Sequence, residues 1–147
     1  MKNVFYEADR KSLGTRADGL TLEHQPKWGK MNCAQMLAHL TDGVRMTLGE
    51  IEIPPRPGPL RLAPIRYAVI YMLPFPKGAP TAPQLLERRA ESAAAEVAAL
   101  KEVMERMASL EGKKDWAEHP AFGRMTEKDW GVLVYRHVDH HLRQFGV

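Results

Sequence analysis

Near the C-terminus two histidines, His137 and His141, stand four residues apart. On a helix, side chains at that spacing lie on adjacent turns of one face, with Cβ atoms about 5–6 Å apart. Two imidazoles so placed can converge on one metal ion at about 2.0–2.1 Å each. The histidines of HExxH metalloproteases use the same geometry. Here Val138 stands where that motif needs its glutamate, so the chemistry of that class is not implied. The pair also has a plainer reading, with one ring satisfied by a neighbour and the other near solvent.

A third ligand has to come from another helix, and His39 is the best placed. It sits seven residues after a helix-capping Asn32, at the edge of an apolar stripe formed by Cys33, Met36, Leu37, Leu40 and Val44. Gly43, one turn on, leaves room beside it. The alternative is a half-exposed histidine at a stripe boundary. Asp42 falls nearer the polar side, where solvation of its carboxylate is expected. His140 is angled away from His141; it could replace either histidine as ligand or lie against a neighbouring helix, and is read first as a residue supporting the ligands from behind, with proton shuttle as its other role. Gln144 shares the stripe of His137 and could orient a ligand ring or a bound water. Cys33 reads as a buried, inert thiol. His24 and His119 lie in predicted loops beside Pro26 and Pro120 and are not expected to be ligands.

The helices that position these residues announce themselves by their ends. Asn32 with Gln35 forms a capping-box pattern, with Met31 and Met36 spaced as a staple, and predicts a helix to about Gly49. Thr126 with Asp129, flanked by Met125 and Trp130, predicts a last helix over about Glu127 to Phe145. On its wheel Trp130, Leu133, Val134, His137, His141 and Gln144 share one stripe, so both histidines face the core. An unpaired polar group buried there costs about 1–3 kcal/mol, so the placement demands a reason. Leu86, Ala90, Ala93, Val97, Leu100, Met104 and Met107 step by four and three, which predicts a long helix from Pro83 to Leu110. A weak first helix is expected over Glu7 to Arg16, limited by Gly14 and Gly19.

Proline clusters at 54–64 and 74–83 exclude helix interiors there. Between them Ile65 to Leu73 reads as a short buried helix or packed segment, with a membrane-surface segment as the weaker alternative. No strand alternation of convincing length occurs. The fold class is therefore all-α, an up-and-down four-helix bundle with a Pro-rich insert between its second and third long helices, forming one domain over 1–147.

Bulk properties close off other classes. Hydrophobic residues make up 44% and charged residues 27%, which excludes a disordered chain. The net charge is +3, but the basic residues form no stripe with interleaved aromatics, so nucleic acid is not an expected partner. The single cysteine rules out an intrachain disulfide and fits a reducing compartment. The charged N-terminus lacks the apolar stretch of a signal peptide. The longest apolar run, Tyr67 to Phe75, is too short to span a bilayer. A cytoplasmic location is the expectation.

Three stretches, KWGKMNCAQMLAHLTD, PPRPGPLRLAPIRYAVIYMLPFPKGAPTAPQLL and HPAFGRMTEKDWGVLVYRHVDHHLRQFGV, resemble a branch of the DinB-like superfamily known only as a domain of unknown function. The resemblance covers nearly the whole chain. It implies a four-helix bundle with a divalent metal held by one histidine of the second helix and two of the last, here His39, His137 and His141. The glutamine three residues after the final histidine recurs as Gln144. The Pro-rich insert is longer than is usual in the superfamily, so pocket details do not carry over. Relatives include thiol transferases, thiol-dependent isomerases and metal-dependent hydrolases, which implies a small-molecule substrate or thiol as partner. Homodimers are also implied by this analogy. Three imidazoles suit zinc or nickel first, with iron or manganese and copper as further choices. Non-catalytic metal or ligand binding, and a bundle with a vestigial site, are the alternatives to an enzyme.

Overall fold

Two reciprocal caps set the register of the helices that carry the histidines. In the computed structural model, which describes residues 1–147, the Asn32 side chain accepts from the Gln35 N–H at 2.9 Å and the Gln35 side chain accepts from the Asn32 N–H at 3.1 Å. Thr126 and Asp129 do the same at 3.1 and 2.9 Å. Each box satisfies two of the N–H groups that a helix start otherwise leaves unpaired. The resulting elements are α2, Cys33–Thr47, and α5, Glu127–Gln144. The other helices are α1, Glu7–Ala17, α3, Ala63–Tyr67, and α4, Ala93–Ser109. The fold is all-helical, with a lone bridge between His119 and Gly123 as its only β pairing.

α2 packs against α4 and α5, and α1 packs against the same two helices, so the four long helices close a ring of neighbours in the order α1, α4, α2, α5. One cluster of 29 buried apolar residues fills the centre, including Leu13, Met36, Leu40, Leu100, Met104, Trp130 and Leu142. α1 is firmer than its glycines suggest. Gly14 lies inside it, buried, where a Cβ would stand 2.9 Å from Lys101 Cε, so the absent side chain lets the lysine stem cross. No helix is long and apolar enough to cross a membrane.

Two expectations need correction. The long helix does not start at Pro83. A single 3₁₀ turn spans Pro83–Leu85, the chain then runs irregularly, and α4 begins only at Ala93, where the Ser92 hydroxyl accepts from the Ala95 N–H. The Ala90 N–H is committed to the Ala34 carbonyl at 2.9 Å, and Leu86 is 37% exposed rather than part of a seam. Seam periodicity thus ran on past a cap. The segment from Ile65 to Leu73 is helical as expected but is not buried. It is α3 prolonged by one π turn, Ala68–Met72, in which only Ile70 is buried while Leu62, Ile65, Tyr67, Met72 and Leu73 are exposed. It is held by α5 and, through Arg66, by the Phe122 carbonyl. Arg136 of α5 donates to the carbonyls of Val69, Ile70 and Leu73, and the Tyr71 hydroxyl donates to Asp129 at 2.6 Å.

The irregular run before α4 is tied down by charge. Arg88 reaches across to Asp42 of α2 at 3.0 Å and to Glu96 of α4 at 2.6 Å. Asp42 is only 5% exposed, so the expectation of a solvated carboxylate is overturned; it is paired with Arg88 and, at 3.2 Å, with Arg45. The Arg88 guanidinium also holds the Glu96 carboxyl below its ordinary range. Removing one partner of a buried pair leaves the other desolvated and uncompensated. Arg88→Met should therefore lower stability by about 2–3 kcal/mol, discounted for the exposed arginine. In chemical denaturation, adding Asp42→Asn should restore at least half of the loss. Additive losses would show that the pair is not coupled.

His119 gives the fold a titrating strut. Its Nδ1 accepts from the N–H groups of Ala121 and Phe122, both at 3.1 Å, so its proton is on Nε2 and the ring is neutral. Burial, helped by the Arg61 charge, pushes its pKa down to about 4. The unfolded chain, with a histidine near 6.5, binds more protons between those values. The contribution is therefore complete above pH 6.5 and is lost as pH falls toward 4, reaching about 2 kcal/mol at pH 5. His119→Asn keeps an acceptor oxygen but does not titrate. It should narrow the difference in stability between pH 7.5 and pH 5.0 by that amount, and an unchanged difference would assign the acid sensitivity elsewhere.

Candidate metal centre

The structure brings His39, His137 and His141 to one point. Their ligand atoms all lie within 4.8 Å of one another, and the Nε2 atoms of His39 and His137 are 2.9 Å apart. The ring centroids are separated by 4.8, 5.0 and 4.9 Å, with planes crossing at 85, 78 and 72°. Three rings turned edge to face in this way aim nitrogens at a shared centre instead of stacking. On a tetrahedral ion with bonds of about 2.05 Å, ligand nitrogens stand about 3.3 Å apart, so the cluster is close to the required size.

Each ring is positioned from its own helix. The four-residue step on α5 gives His137 and His141 one face. His39 comes from the middle of α2 and is 4% exposed, so the half-exposed alternative is set aside. Gly43 lies beside His137, not His39, and a Cβ there would meet its Cε1 at 3.5 Å, an ordinary contact, so the glycine is not needed to make room. His141 is 7% exposed, and His137 is half-buried.

Gln144 orients the deepest ring. Its Nε2 donates to the Trp28 carbonyl at 2.6 Å, which turns Oε1 toward His141 Nδ1 at 2.7 Å. An oxygen there can only accept, so the network assigns the proton to Nδ1 and leaves the Nε2 lone pair bare. Gly29, at φ +83°, makes this approach feasible, because a Cβ would sit 2.7 Å from the Gln144 amide nitrogen. His39 Nδ1 makes no well-formed hydrogen bond, although the Leu85 main chain comes near enough to favour a proton on the ring.

Burial disfavours the charged form of all three rings. It lowers the pKa of His39, drives that of His137 well down and brings that of His141 to about 3, the neighbouring histidines adding to the effect on the last two. Neutral imidazoles with bare lone pairs are the state in which histidine ligates a metal. Asp42, the carboxylate acting on His39, is held by Arg88 and Arg45.

The remaining candidates are dispersed. His140 makes no hydrogen bond to the cluster. It lies edge-on to His141, centroids 5.2 Å apart, and against Trp28 at 5.6 Å, at the rim. Cys33 is fully buried, its thiol pushed up to about 11 by burial, and so is inert at neutral pH. His24 is engaged with Thr21 and His119 with its own loop. Sequence reading missed Phe75, whose ring lies 6.4 Å from that of His137 and 5.8 Å from that of His140. The Pro-rich insert delivers it, and no local pattern signals that. Two surface grooves of about 580 and 640 Å³ lie elsewhere, and none of the three histidines lines either.

Neither the curated proteins nor the solved structures yield a match to this chain. The family model of the DinB superfamily matches residues 6–145, a span that contains every helix of the bundle and all three converging histidines. The chain belongs to the DinB superfamily.

Proposed function

We propose that the protein is a metal-dependent enzyme acting on a small molecule, with a divalent ion held by His39, His137 and His141. The observation that carries this reading is the convergence of three neutral, desolvated imidazoles from two helices, with no fourth histidine, cysteine or carboxylate in the group. Structural zinc sites close four protein ligands around the ion, whereas catalytic ones use three and leave a position for substrate. When bound, such an ion supplies Lewis acidity, which polarises a carbonyl or lowers the pKa of water or a thiol. Zinc or nickel fits this donor set first, with iron or manganese next.

The chain's own residues favour thiol S-transfer over hydrolysis. A hydrolytic site needs a base to take the proton of water. The carboxylates acting on His39 and His140, Asp42 and Asp139, are each held by two arginines, and Cys33 is a buried, inert thiol. A thiol substrate brings its own more acidic proton and makes less demand on a base. Gln144 holds His141 in the tautomer that presents Nε2, and the Phe75 ring lies roughly parallel to that of His137, 6.4 Å away.

Zinc titration by calorimetry should show one equivalent bound to the wild type. His137→Ala should weaken binding at least about 100-fold with helicity by circular dichroism unchanged, since a three-ligand site cannot keep its affinity on two. Unaltered affinity would move the site elsewhere. Gln144→Leu, which removes only the support of His141, should weaken zinc by about 10–100-fold. Affinity equal to wild type would mean that the Gln144 contact does not set the ligand's orientation.

A further inference from the structure

The rim over the histidine cluster is aromatic and cationic, and it is assembled from three separate parts of the chain. Trp28 lies against His140, and the Phe75 ring stands near both His137 and His140. Lys77 Nζ stands 4.5 Å over the Trp28 ring, and the Arg136 guanidinium 5.1 Å from the Phe75 centroid. Residues 53–86, which deliver Phe75 and Lys77, contain Arg56, Arg61, Arg66 and Lys77 and not one acidic residue. Neither Lys77 nor Arg136 takes part in any ion pair. Asp139, the carboxylate acting on His140, is already bound to Arg16 at 2.6 Å and Arg143 at 3.0 Å. The Trp28 indole N–H is buried without a hydrogen-bond partner.

Arg136 is committed to the carbonyls of Val69, Ile70 and Leu73, where it fixes the end of the π turn and the approach of Phe75. Lys77 differs. It is exposed, its position rests on a ring face, and its charge has no partner. A lone cation beside two aromatic plates, with no competing carboxylate on the wall, attracts a molecule of opposite sign that has an apolar body.

We propose that this mouth admits a small organic carboxylate, its charge drawn by Lys77 and its apolar or aromatic body set between Trp28 and Phe75. The proposal rests on the reading of the histidine cluster as the reactive centre and specifies the class of substrate that reaches it. Lys77 is then a specificity-determining residue for binding, and the Pro-rich insert is the element that supplies it.

The test pairs benzoate with its neutral analogue benzamide. In cobalt-loaded protein, the visible absorption of the ion reports ligands entering the site. In metal-free protein, tryptophan emission reports ligands at Trp28, and Trp28→Phe identifies the source of that signal. Benzoate is expected to bind about tenfold more tightly than benzamide in both assays. Lys77→Met, which keeps the stem and removes the charge, should abolish that preference while leaving cobalt affinity unchanged. Equal affinity for the two probes, or a preference that survives Lys77→Met, overturns the proposal. Failure of cobalt to bind would overturn the metal reading, and the emission assay would still decide the carboxylate preference on its own.

Discussion

Three imidazole nitrogens face one another where water is scarce, and much of the structure follows from that. Gln144 takes the only ring proton of neutral His141, so His141 presents a bare lone pair. Between the Nε2 atoms of His39 and His137, 2.9 Å apart, there is room for one proton. The centre therefore holds more lone pairs than protons. A positive charge is what such a cluster lacks, and desolvation opposes supplying it by protonating the rings. A multivalent cation meets the deficit without that penalty, since it bonds to all three lone pairs at once.

This demand explains features remote from the cluster. His39 and His137 sit on different helices, and a slip of one residue on either would carry its ring about 100° round the axis. Both helices accordingly begin with a two-way cap that fixes register at the first turn. Arg88 locks α2 to α4 one turn beyond His39, and the 3₁₀ turn just before it lays the Leu85 main chain against the His39 ring. Neither device touches the centre, yet both determine where the rings arrive.

What the sequence disclosed, and what it concealed, divides along the range of the interactions. The caps, the seam of α4 from Ala93 onward, the inward face of His137 and His141 and the support from Gln144 are each written within a few residues, and wheel geometry recovers them. The exposure of Leu62, Ile65, Met72 and Leu73 is not, because burial depends on whether another element arrives, and α5 packs on this segment without covering them. The same holds for Asp42, which lies on the polar side of its helix but meets an arginine 46 residues away. Arg88 was hidden by a helical pattern that ran on past Ser92, although Ser92 itself was a readable stop. Phe75 and Lys77 lie among prolines, where no periodicity exists to say which way a side chain points.

Function and stability pull in opposite directions at this centre. Neutral histidines in a core contribute less than the leucines that would fit the same stripe, because their nitrogens lose water without recovering full hydrogen bonding. His39 Nδ1 and Trp28 Nε1, both buried and both without a partner, show the shortfall directly. The surrounding bundle offsets it with a continuous apolar cluster and with the Arg88, Asp42 and Glu96 triad, neither of which the chemistry uses. A ligand that binds only the folded chain adds stability in proportion to the logarithm of its concentration over its dissociation constant. A cation at the histidines would therefore return stability to the residues that weaken the bundle, and occupancy of the site and persistence of the fold would rise together.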